Sequence, residues 1–180
     1  YGKSQAMAVA ALDAFLGANL IGMTEQAFLS FGQDGFWSSH TPISHGYRAH
    51  IPWLAMEMRN RYVKGKMITA NVVESPTLKW AGEDRPLVGA YAFREKSRLS
   101  VILLSRKLDG QHDGLDFGDG STQVTLVLPA NPTGAATLYH LSGNPRDNNR
   151  SENKVVIQQQ LYSLNRETTI NLPSGGIYLF

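Results

Sequence analysis

The sequence contains no cysteine, which excludes a disulfide scaffold, a thiolate zinc site and a cysteine nucleophile. It leaves the compartment open, because many secreted chains also lack cysteine. No long run of lysine and arginine occurs: 17 basic residues are balanced by 15 acidic ones, for a net charge of +2. A nucleic-acid surface gathers such residues on one face, so no nucleic-acid partner is expected. No membrane partner is expected either. The longest apolar stretch, Ala6 to Met23, is broken by Asp13 and Asn19 and is rich in Ala and Gly, a poor bilayer span. Lys3 followed by Ala6–Leu12 matches a signal peptide only faintly, since Asp13 comes early and no cleavage site stands out. Internal repeats and low-complexity tracts are absent. So are a Gly-x-Ser-x-Gly elbow, a Walker loop and a dinucleotide glycine fingerprint.

What remains is a chain of 180 residues, 42% hydrophobic and 18% charged, enough for a sizeable core. Its character changes near residue 65, which divides it into segments 1–65 and 66–180. Ala6 to Leu20 has helical apolar spacing, with Gly17 and Gly22 near its end. Ala27–Phe31 is a short apolar run with two phenylalanines, read as a buried strand. Gly32 to Gly46 is a loop of about 15 residues, a length usually reserved for function. A second helix is expected from Ile51 to Lys64, with Pro52 in its first turn and Gly65 as its stop. Leu54, Met58, Arg61 and Tyr62 fall near one of its faces.

The second segment reads as eight short strands: Lys66–Glu74, Leu87–Arg94, Arg98–Ser105, Thr122–Leu128, Ala136–Leu141, Lys154–Leu161, Glu167–Leu172 and Gly176–Phe180. Strands without intervening helices predict a mainly β fold, a two-sheet antiparallel β-sandwich preceded by a short α/β segment. Val101, Leu103, Leu126, Leu128 and Ile177 are expected to face into it.

Chemistry-bearing residues are few. His40, His45 and His50 recur every five residues around the loop. Imidazoles can share a metal, but partners and a second shell are missing from the pattern, so the expectation is no metal and no cofactor. Asp109 to Asp119 is an acidic, glycine-rich excursion. It could offer oxygens to calcium, yet no bidentate Glu closes it, and a solvated turn explains the same residues. Glu57 is expected to pair with a nearby arginine. The candidate binding residues are Gln33, Asp34, Trp37 and His40, on the loop that follows Ala27–Phe31. Active-site groups of barrel enzymes sit at the carboxyl ends of strands, and Trp37 could stack on a sugar ring.

The order of these segments resembles the carboxyl-terminal end of retaining (β/α)₈-barrel glycoside hydrolases of the α-L-arabinofuranosidase and β-xylosidase type. Ala6–Leu20 resembles the seventh barrel helix, Ala27–Phe31 the eighth strand, and Pro52 to Gly65 the eighth helix. Arg98–Arg106, Leu141–Val155 with Asn149, Glu152 and Asn153, and Leu172–Leu179 are similar to sandwich strands and the sandwich's long turn. The resemblance implies a sugar-acting enzyme whose acid/base and nucleophile glutamates would both lie before Tyr1. Retaining hydrolysis needs two carboxyl groups roughly 5 Å apart, and the resemblance maps neither onto this chain. The expectation is a non-catalytic portion of a glycoside hydrolase acting on plant-type polysaccharide or oligosaccharide. An opening without methionine fits a piece of a longer enzyme. The expected partners are carbohydrate and either the upstream barrel segment or a second copy of the chain. The alternative is a stand-alone carbohydrate-binding or protein-interaction sandwich module.

Overall fold

The computed structural model describes residues 2–23, 38–112, 114–118 and 120–180. The strand expected at Ala27–Phe31 lies outside them. Helix α1 (Gln5–Leu20) starts at Ser4, whose hydroxyl accepts from the Met7 N–H at 3.3 Å, satisfying a donor that has no partner inside the helix. It hides Gln5, Ala8, Val9, Leu12 and Leu16. Helix α2 (Ile51–Tyr62) carries Pro52 in its first turn and buries Ile51, Ala55, Met56 and Met58. Arg61 lies off that buried face. It is exposed and pairs with Glu57 one turn earlier at 3.2 Å, the ion pair anticipated for Glu57.

Among the described residues twelve strands follow, all paired antiparallel: β1 (Lys66–Ile68), β2 (Thr77–Trp80), β3 (Glu83–Pro86), β4 (Val88–Glu95), β5 (Arg98–Ser105), β6 (Gln111–His112), β7 (Leu115–Asp116), β8 (Thr122–Val127), β9 (Ala136–Leu141), β10 (Gln158–Tyr162), β11 (Glu167–Leu172) and β12 (Ile177–Leu179). Six make one sheet in the order β1-β4-β5-β12-β9-β10, and β8 and β11 make the facing sheet. The fold is mainly β.

The larger sheet is covered on both faces. Val88, Val101 and Leu103 pack with Leu128, Ile170 and Leu172 of the smaller sheet's side, joined by Leu126 and Val124. Tyr91, Phe93, Ile102, Leu104, Leu141, Ile177 and Leu179 pack on the other face, against Leu12 and Leu16 of α1 and Ile51, Ala55 and Met58 of α2. Strand β5 is therefore buried from Ser100 to Ser105, as two-sided cover requires. Each such aliphatic side chain contributes about 1.5–3 kcal/mol on burial.

One expectation changes here. Ile177 is fully buried, but beneath the helices and not between the sheets, because it lies on the opposite side of β12 from Tyr178. The outer face of the larger sheet covers α1 and α2. Strand limits differ where burial fails. Residues 71–74 are exposed, so the first strand stops at Ile68. Val155 is buried as an anchor for Asn149, so that strand starts only at Gln158.

Polar contacts fix α1 on the sheet. Arg106 donates to both carboxylate oxygens of Asp13, each at 2.8 Å, and the Tyr91 hydroxyl donates to Oδ1 at 2.7 Å. The Arg59 guanidinium lies over the rings of Phe15 and Phe93, at 5.2 and 5.5 Å from their centroids.

Candidate functional site

Of the four candidate binding residues, His40 is described; Gln33, Asp34 and Trp37 lie outside the described residues. His40 forms an antiparallel bridge with Ala49, which closes residues 41–48 into a small loop. Within it, Ile43–His45 makes a turn of 3₁₀ helix, and Gly46 and Tyr47 both take left-handed backbone, with φ of 87° and 47°. That pair reverses the chain and lays the Tyr47 ring on the His40 ring, with centroids 4.6 Å apart and planes within 8°. Trp53, from the first turn of α2, sits tilted against the same imidazole at 5.6 Å. The His40 Nδ1 and Ser39 Oγ are 3.0 Å apart. Burial holds the imidazole below its usual pKa, with Glu57 opposing in part, so the ring is neutral near pH 7.

The sandwich's long turn secures this loop from below. Asn149 is buried. Its amide donates to the carbonyls of Val155 at 2.7 Å and Ala49 at 3.2 Å, and its Oδ1 accepts from the Val155 N–H at 3.0 Å. Arg48 donates to the carbonyls of Asn149 and Arg150. The same turn meets the start of α1, where the N–H groups of Gln5 and Ala6 donate to Asp147 and Pro145 carbonyls, both at 2.9 Å. An open groove of about 300 Å³ lies there, lined by Lys3, Arg146 and Arg150 with Gly2, Ser4 and Asn148.

The three loop histidines do not converge. His40 is in the aromatic stack, His45 is exposed in the 3₁₀ turn, and His50 is buried at the start of α2. Among the described residues, no three His, Cys, Asp or Glu side chains gather as a metal site would need. In the acidic excursion, Asp116 accepts from the Gly118 N–H at 2.9 Å. Lys107 Nζ and Ser174 Oγ both donate to the Gly120 carbonyl. The described part is a hydrogen-bonded turn tied down by a lysine; Asp113 and Asp119 lie outside it. No helix among the described residues is long and apolar enough to cross a membrane.

Sequence reasoning missed Tyr47, Trp53 and the anchoring roles of Arg48 and Asn149. The Gly46-Tyr47 step was the available signal for Tyr47, since glycine there permits the reversal that sets the ring.

A helical layer on a two-sheet antiparallel sandwich defines the class of fold. No family model matches the sequence, and no curated protein does. Solved structures match it closely in shape. An α-L-arabinofuranosidase from Thermotoga maritima, in its arabinose complex, superposes on 96% of this chain with a TM-score of 0.74 at 14% identity. A family 51 α-L-arabinofuranosidase from Bifidobacterium longum matches 98% with a TM-score of 0.69 at 16% identity. A family 30 subfamily 8 xylanase from Clostridium acetobutylicum matches the whole chain with a TM-score of 0.62 at 8% identity. The matched part is 37%, 34% and 39% of those chains, respectively. The chain thus has the fold of a little over a third of a family 51 glycoside hydrolase, and the resemblance read from the sequence holds at the level of fold.

Proposed function

We propose that this chain is the non-catalytic, carboxyl-terminal portion of a glycoside hydrolase acting on plant-type polysaccharide or oligosaccharide. The sandwich holds the last barrel helices in place, and the loop around His40 contributes to the wall of the sugar cleft. The observation that carries the reading is that both helices and both sheets superpose together on family 51 enzymes. A detached binding module would share only the sandwich. The packing gives the support role its physical content: α1 and α2 are bound to the sheet by a continuous apolar core and by the Asp13–Arg106 pair. Gln33, Asp34 and Trp37 belong to the same proposal as sugar contacts, together with His40.

The test is activity. The purified chain is expected not to hydrolyse aryl arabinofuranosides or xylosides, because hydrolysis of this kind needs a carboxyl pair. Clear turnover that disappears in Glu25→Gln or Glu57→Gln would overturn the non-catalytic reading.

A further inference from the structure

We propose that Tyr47 is a sugar-stacking residue, presenting the outer face of its ring to a neutral glycoside. The proposal rests on the function proposed above and extends its site beyond His40.

Three observations meet at this residue. First, Tyr47 holds left-handed backbone at φ 47°, a conformation that costs a non-glycine residue free energy and gathers at ligand sites. Glycine would adopt it freely, and Gly46 does so in the preceding position. Second, among the described residues one ring stacks on it, His40, parallel at 4.6 Å, and Tyr47 remains 47% exposed. Third, the surface behind the ring is held in place. His40 is braced by Trp53 and Ser39, and the loop is pinned by the His40–Ala49 bridge and by Arg48.

A rigid, half-covered aromatic surface with a hydroxyl at its rim suits a ligand with an apolar face and polar edges. Sugar rings have that form, with C–H groups on one face and hydroxyls around the edge.

The experiment is a titration of the chain with arabinotriose and, separately, xylotriose, followed by aromatic ¹H–¹³C NMR, for the wild type and for Tyr47→Phe and Tyr47→Gly. Stability is measured in parallel by urea unfolding. Saturable shifts of the Tyr47 ring signals are expected with at least one sugar. Tyr47→Phe should retain binding, and Tyr47→Gly should weaken it by roughly five- to tenfold, the size of one aromatic contact. Because glycine accepts φ 47°, Tyr47→Gly should still fold, which keeps the binding result readable. Unchanged affinity in Tyr47→Gly would overturn the proposal, as would a glycine variant that is less stable yet binds normally. Shifts confined to Trp37 would also overturn it while leaving the wider sugar-cleft reading in place. No shift with either sugar would overturn it too, and the non-catalytic reading would still be decided by its own activity assay.

Discussion

Asp13 shows how one polar residue on an otherwise apolar helix can be structural. It reads as an interruption in a run of alanines, yet its carboxylate receives three donors from the sheet. The pair with Arg106 is only partly buried, so its Coulomb contribution is screened. The phenol is the more telling partner. Burial first, and then the bond to Asp13, pushes the Tyr91 pKa up to about 12 from its ordinary 10. The native state therefore keeps this proton in a range where the unfolded chain releases it, and stability must fall as pH rises. Tyr91's contribution to the unfolding free energy is expected to be constant up to about pH 10 and to decline between about 10 and 12. Urea unfolding across that range should show the decline in the wild type and a shallower one in Tyr91→Phe. Equal slopes would remove Tyr91 from the explanation.

The turn between β9 and β10 depends on one amide. Asn149 satisfies an N–H and a carbonyl of Val155 and the carbonyl of Ala49, so it ties the sandwich to the His40 loop. Asn149→Asp retains an acceptor for Val155 but turns a negative oxygen toward two carbonyls. The expected loss is about 3 kcal/mol, with the His40 loop loosened; hydrogen exchange at His50, whose N–H donates to Ser39, measures this. Protection there unchanged from wild type would contradict the coupling. The sequence made some of these elements readable and concealed others. Strands β5, β9 and β11 fall where apolar, β-branched runs end at turn residues, because burial and propensity agree there. The β2–β3 hairpin was not legible. Its residues are almost all exposed, and its formation depends on Ala81 and Gly82 at φ 51° and 83°, a turn that alanine seldom signals. The site was legible only as a loop. That Tyr47 covers His40 follows from backbone handedness, which residue type hints at but does not determine.

For the molecule as a unit, the remaining question is what meets the far end of α1. Leu20, Ile21 and Met23 are 61%, 84% and 46% exposed, an apolar cluster of the kind that partners normally cover. We propose that an upstream barrel segment covers it in the whole enzyme, and that in the isolated chain a second copy does. Light scattering is expected to show weak association at micromolar concentration that Ile21→Lys reduces. A wild-type monomer at every concentration would show that the cluster needs no cover.

The strand order has a consequence in time. β12 is the last described strand, yet it lies between β5 and β9 near the centre of the larger sheet. The side chain of Gln5, at the start of α1, donates to the Gly175 carbonyl at 2.6 Å, across 170 positions of sequence. During synthesis α1 must wait for nearly all of the chain before its docking surface is complete. The β4–β5 pair can form early, but it cannot join β9 until β12 leaves the ribosome and slots between them. Folding is therefore dominated by distant contacts and should be slow for a chain of this size.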